Sequence, residues 1–223
     1  WQSGRSIMKL QGNELIINGV VASIDRDNID TDQIIPTEYL KSIKKYGFED
    51  YLFDGWRYLD EGKLGISKDE RKQNPDFILN KEPFNKASIL LTRDNFGCGS
   101  SREHAVWALR DFGIKTVIAS SFGDIFYNNC FKNGVLPIKL NKDQIDNLFK
   151  SFKDVSGELS ISLDSKKISQ NDKELYAFDV EENLLERIIY GLDDVDMTLK
   201  FKDKIASFEQ ERKQEKPWIF SND

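Results

Sequence analysis

Asp94-Asn95-Phe96-Gly97-Cys98-Gly99-Ser100-Ser101-Arg102-Glu103-His104 decides how the 223-residue chain is read. Ahead of it, Ala87-Ser88-Ile89-Leu90-Leu91 is a short apolar run of strand type; behind it, Ala105, Ala108, Leu109 and Phe112 recur at helical spacing up to Gly113. The order is strand, glycine loop, helix. Ser100 and Glu103 have the S-x-x-E spacing of a capping box, which predicts a helix that starts at Ser100 and stops at Gly113, since glycine takes the left-handed C′ position most easily. Gly97 and Gly99 allow a close backbone approach, so free N–H groups, the positive end of a helix dipole, two hydroxyls and the Arg102 guanidinium converge. Such a point selects an anion.

Phosphate is one candidate, but G-x-G-x-x-R lacks the third glycine of the dinucleotide fingerprint and no G-K-[ST] follows. The next strand, Thr116 to Ala119, ends in Ser120-Ser121 rather than in an acid for a ribose. A carboxylate suits the loop better, because Arg102 can grip it with two parallel bonds. The plainer alternative is that Ser100, Ser101 and Glu103 only cap a helix.

Composition narrows the class. A formal net charge of -6, with 38 acids and 32 bases interspersed, argues against a nucleic-acid or anionic-membrane binder. No apolar run approaches the roughly 20 residues that cross a bilayer and no secretory leader opens the chain, so a cytoplasmic protein is expected. Trp1 to Ile7 reads as a linker-like leader ahead of a native start at Met8, leaving residues 8–223 as a single domain. Cys98 and Cys130 are the only cysteines and His104 the only histidine. That set builds neither a disulfide framework, an iron–sulfur site nor a familiar zinc site, so any metal comes from elsewhere.

Taken in order, Leu15 to Ile24 is strand-like and is broken by Asn18-Gly19, which predicts a hairpin turn. Asp25, Asp27, Asp30 and Asp32 crowd one loop. Calcium fails there, since an EF-hand counted from Asp25 would put Asp30 at the glycine and Pro36 at the final glutamate. Aspartates that make turns and cap a helix beginning after Pro36, at Thr37 to Lys45, are the alternative. Gly47 to Asn80 is a long irregular excursion, and its aromatic content predicts an ordered flap or a partner-facing surface. Further on come a helix at Asp124 to Phe131, a strand at Val135 to Leu140 and a helix capped by Asn141 and Gln144. A strand meander turns at Asp164-Ser165 and Asn171-Asp172, a last core helix stops at Gly191, and a charged helical tail runs from Asp203. Strands alternating with helices imply an α/β fold with a parallel or mixed sheet.

Gly97 to Ala105 resembles the serine-loop signature of the aconitase superfamily's swivelling domain. The ordered set resembles, more narrowly, the small-subunit family of 3-isopropylmalate dehydratase. It comprises Asp30-Thr31-Asp32-Gln33-Ile34-Ile35-Pro36, Tyr46-Gly47-Phe48 with Leu52 to Arg57, Asn74 to Asn80, Ser121 to Tyr127 and Leu136 to Leu140, within a likeness from about Gly19 to Trp218. Val106 stands where the family usually carries proline. The resemblance implies a three-layer β/β/α domain and a heterodimer. In it a large subunit holds a 4Fe-4S cluster, while this chain, with no metal of its own, closes over isopropylmalate. It implies that Ser100 acts as an alkoxide base, that Ser101 and Arg102 hold substrate oxygens, and that His104 is structural. The stretch from Asp30 to Thr37 would lie at the site's edge, with Gly99, Asp30, Thr31 and Asp32 toward the substrate. Leu40 would meet the substrate's variable group with Lys41 turned to solvent, unless Lys41 reaches an acid, as a sister dehydratase acting on a homoaconitate or citramalate type of substrate would require. A nucleotide-binding module or a non-catalytic scaffold remains the reading from a different class.

Overall fold

The structure, a computed structural model, describes residues 9–11, 14–41, 45–100, 102–153 and 155–190. In chain order the elements are β1 (Lys9–Gln11), β2 (Glu14–Ser23), α1 (Thr31–Ile34), α2 (Asp54–Arg57), β3 (Ile89–Leu91), α3 (Glu103–Phe112) and β4 (Thr116–Ala119). After these come α4 (Asp124–Lys132), β5 (Leu136–Lys139), α5 (Lys142–Phe152), β6 (Glu158–Ser162), β7 (Lys167–Gln170), β8 (Lys173–Ala177) and α6 (Glu182–Tyr190).

The strands lie in the order β5-β4-β3-β2-β6-β7-β8, with β1 antiparallel to the start of β2. The half from β5 to β2 is parallel; the half from β2 to β8 is antiparallel. β2 serves both, because its Ile16–Val20 segment pairs with β6 and its Val21–Ser23 segment with β3.

Side-chain alternation turns this sheet into layers, since successive residues of a strand point to opposite faces. Val21, Ile89, Leu91, Ile118, Leu136 and Ile138 face a core shared with Leu159, Ile161 and Ile168 of the antiparallel half and with α5 and α6. Their neighbours Ala22, Leu90, Val117 and Ala119 face a second core filled by Ala105, Ala108 and Leu109 of α3 and by the 47–80 segment. Burial on both faces is why β3 and β4 read as unbroken apolar runs. Antiparallel strands, parallel strands and helices therefore form the three expected layers.

Three local expectations are corrected. Asn18-Gly19 makes no turn, and β2 runs straight through it. Gly19 is there for contact, since a Cβ would lie 1.6 Å from Ser88 Oγ. The helix placed after Pro36 is 3-10 over Thr37–Lys41, with residues 42–44 outside the described residues, and the aspartate cap works earlier, where Asp30 and Gln33 form a capping box on α1. The third correction, at Ser100, belongs to the site. The stop at Gly191 and the helical tail lie outside the described residues.

The 47–80 excursion is ordered, as its aromatics suggested. Tyr51 stacks on Tyr39 at 4.1 Å between ring centroids, and Phe53 stacks on Trp56 at 5.4 Å. Beneath them Arg71 pairs with Asp54 at 2.7 Å and Asp60 at 2.9 Å, and lies 4.1 Å from the Tyr58 ring.

Candidate active site

The glycine loop is clamped on both sides by backbone bonds. Gly97 N–H donates to the Ile29 carbonyl at 2.7 Å and Thr31 N–H to the Cys98 carbonyl at 3.0 Å, with Asp30 and Cys98 forming a parallel bridge. Opposite, Phe96 N–H donates to the Ser121 carbonyl at 3.1 Å and Gly123 N–H to the Phe96 carbonyl at 2.9 Å. Gly97 has φ +72, and a Cβ there would lie 2.2 Å from the Phe126 ring, so both conformation and space require glycine. Asp94 props the loop's entrance, accepting from Ser120 Oγ at 2.6 Å and pairing with Lys142 at 2.6 Å.

Beyond Gly99, at φ +90, Ser100 is exposed. Its carbonyl accepts from the buried Thr31 hydroxyl at 3.0 Å. Arg102 stays extended, with φ -132 and ψ 112, and α3 begins only at Glu103, with Arg102 at its N-cap and no side-chain cap hydrogen bond. The capping box expected from Ser100 and Glu103 is therefore absent. Thr31 holds Ser100 outside the helix, and its hydroxyl is not used on a first-turn amide. The orphan amides at the start of α3 keep their positive end uncapped by any side chain.

Arg102 reaches back to the segment after α1. Its Nη1 donates to Asp32 Oδ1 and, at 2.9 Å, to Thr37 Oγ1, while the Thr37 hydroxyl donates to Asp32 Oδ1 at 2.6 Å. The Thr37 hydrogen bond first, and then the Arg102 guanidinium, hold the Asp32 carboxyl below the usual carboxylate range against the opposing effect of burial. Among the described residues Arg102 Nε and Nη2 bond nothing, which leaves the edge that can take both oxygens of a carboxylate.

Asp30, Thr31, Asp32, Gly99, Ser100 and Arg102 are thus brought together. The Asp30 carboxylate accepts from Gln33 N–H at 2.7 Å and acts as a helix cap. Leu40 is half-buried against the helix-side core and Lys41 is exposed. Ser101 lies outside the described residues. The resemblance put Thr37 at the site's edge without a partner; the structure joins it to Asp32 and Arg102. The remaining acids of the aspartate loop have partners of their own: Asp25 binds Arg93 and Lys153, and Asp27 accepts from Asp94 N–H at 3.0 Å.

Three other reactive side chains are held inert. Burial, followed by the charge of Asp30, pushes the Cys98 thiol up and keeps it protonated. His104 packs 5.5 Å from Phe48 and 4.5 Å from Trp107, and burial lowers its imidazole so that it is neutral at pH 7. Cys130 is sealed in the core. Among the described residues no three His, Cys, Asp or Glu side chains group as metal ligands, and these two thiols do not fit an iron–sulfur cluster.

The model of the aconitase C-terminal domain matches residues 13–143, and that of the C-terminal domain of the 3-isopropylmalate dehydratase small subunit matches residues 194–222, outside the described residues. The chain is similar to proteins named 3-isopropylmalate dehydratase small subunit. One, from Neisseria meningitidis serogroup C, is 50% identical over 206 residues, covering 92% of this chain and 97% of its own length. Another, from Marinobacter nauticus, is 49% identical over 204 residues, covering 91% and 95%. A crystal structure of 3-isopropylmalate dehydratase from Methanocaldococcus jannaschii superposes with a TM-score of 0.57 at 29% identity, over 87% of this chain and 99% of that one. With half its sequence shared over nine-tenths of its length, the chain belongs to the 3-isopropylmalate dehydratase small-subunit family, within the aconitase superfamily.

Proposed function

We propose that this chain is the small subunit of a two-subunit, cytoplasmic 3-isopropylmalate dehydratase, a hydro-lyase of leucine biosynthesis that interconverts 2- and 3-isopropylmalate through dehydration and rehydration. The observation that carries this is an exposed, uncapped Ser100 two residues from an arginine braced on one edge only. Dehydration removes a proton from a carbon beside a carboxylate and expels hydroxide, so it needs a base, carboxylate grips and a Lewis acid. Ser100 acts as the base. A free hydroxyl is too weak for this at neutral pH, so the uncapped start of α3 and the Arg102 charge stabilise its alkoxide. Arg102 takes a substrate carboxylate on its free edge, and Ser101 holds a second oxygen.

The thiols of this chain do not make a cluster site, so the 4Fe-4S cluster and its Lewis acid belong to the large subunit, and no step on this chain runs through them. Exposed Lys41 and half-buried Leu40 support an apolar isopropyl group in the variable position rather than a further carboxylate.

In the reconstituted pair, Ser100→Ala should lower kcat by a factor on the order of 100 to 10,000, as loss of a general base does, with KM within a few-fold. Arg102→Lys should impair both, because an ammonium cannot reproduce the two-bond grip. Near-normal kcat in Ser100→Ala would overturn the assignment.

A further inference from the structure

The 47–80 segment borders a cavity of about 360 Å³ that the serine loop does not use. Arg57, at the end of α2, lines it and is only 6% exposed. Its Nε donates to Asn80 Oδ1 at 3.3 Å, and its Nη1 donates to the carbonyls of Glu49 at 2.7 Å and Leu52 at 3.4 Å. A guanidinium has five N–H donors. Both donors on Nη2 are unbonded among the described residues, and no carboxylate there forms an ion pair with Arg57.

Arg71, equally buried at 7% exposure, sets the contrast with carboxylates at 2.7 and 2.9 Å. Around Arg57 the carboxylates of Asp50 and Asp54 act only through space, without an ion pair, and the Tyr58 and Phe112 rings lie 5.3 and 5.1 Å from its guanidinium carbon. A buried cation with no ion-pair partner in contact and one nitrogen unbonded is costly, and a carboxylate brought to that nitrogen from outside makes a binding site.

We propose that this cavity binds a carboxylate, which takes the Nη2 side of Arg57 while Lys86 closes over it from the rim and the apolar remainder of the ligand lies against Leu79 and Phe112. Glu49, Asp50 and Asp111 share the lining, so a second negative charge is disfavoured and the ligand class is a monocarboxylate. It comes either as a free small molecule or as an acidic side chain of the large subunit. The second source rests on the two-subunit reading above; the first does not.

The test follows the Arg57 Nε–H nuclear magnetic resonance signal, assigned by its absence in Arg57→Lys. The full chain is titrated with potassium propionate, with potassium malonate in parallel, at ionic strength held by potassium chloride. A saturable shift, at least ten-fold tighter for propionate than for malonate and weakened several-fold in Lys86→Ala, supports a free ligand. If no free anion moves the signal, but pairing with the large subunit does and Lys86→Ala weakens that pairing at least ten-fold, the carboxylate is the partner's. A signal that responds to chloride and propionate alike, together with unchanged pairing in Lys86→Ala and Arg57→Lys, overturns the proposal. Lys86 is exposed, so its variant keeps the test valid even if Arg57→Lys fails to fold.

Discussion

Asp32 and Thr37 hold Arg102 by one nitrogen and, among the described residues, nothing bonds its other edge, which makes them positioning residues whose loss should appear in binding before chemistry. Asp32→Asn in the reconstituted enzyme should raise the KM for isopropylmalate by about ten-fold, the equivalent of roughly 1.4 kcal/mol, with a smaller fall in kcat. Thr37→Val should do less, and the double variant should fall short of the product of the two because both act through one guanidinium. The Asp32 carboxyl is lowered in the fold, so its contribution is present above the ordinary aspartate pKa and lost as the pH falls through the lowered value. KM should therefore not change through this pair between pH 6 and 9. His104 behaves in the same sense, in a higher pH window. Its imidazole is lowered, so the unfolded chain binds the proton more readily and stability falls on acidification through the ordinary histidine range near pH 6.5. Since this is the only histidine in the chain, His104→Phe should flatten the slope of urea midpoint against pH between 7 and 5.5; an unchanged slope would refute the account. The loop, its arginine and its serine were legible in the sequence because their residue types are rare in that combination. The partners of Thr37 were not, because they are fixed by the chain reversal at Pro36 and the return of the glycine loop.

Elements with a strong local period came out as read. β4, α4 and α5 with its Asn141–Gln144 capping box fall within a residue or two of expectation, and the β6–β7–β8 meander turns at Asp164-Ser165 and Asn171-Asp172 as expected. The failures share one cause, a local signal outvoted by a distant contact. Asn18-Gly19 has turn composition, but Gly19 answers to Ser88 across the sheet. Ser100-x-x-Glu103 has cap spacing, but Thr31 holds the Ser100 carbonyl and delays α3 to Glu103. The 47–80 segment shows the same dependence, since long-range aromatic stacks and the Asp54–Arg71 pair order it where periodicity is lacking. Arg71 and Asp54 have side chains 2% and 7% exposed. Arg71→Met should then cost about 3–5 kcal/mol in urea unfolding, because it strands a buried carboxylate. Arg71→Met combined with Asp54→Leu should cost less than Arg71→Met alone. If the single change costs under about 1 kcal/mol, the pair does not hold this segment.

At the scale of the molecule, an α/β fold with a parallel or mixed sheet was readable from the order of elements and its three layers from the family resemblance, while the shared role of β2 was not, because no sequence pattern marks a strand that pairs on two sides. The division of labour between the two chains gives the broadest prediction. Purified alone, the chain should be colourless, retain no iron after a chelator and dehydrate nothing; anaerobic mixing with the large subunit should bring activity, and turnover by the chelated chain alone would end the proposal. β2 also has a consequence for synthesis on the ribosome. Its Ile16 pairs with Ser162, so 146 residues must be synthesised between the strand and its antiparallel partner. At about 5–20 residues per second, the wait is on the order of ten seconds. During that interval the residues around Ile17 and Val21, buried in the finished fold, have an unpaired edge and no core to enter, so nascent chains are most exposed to misassembly before β6 leaves the exit tunnel.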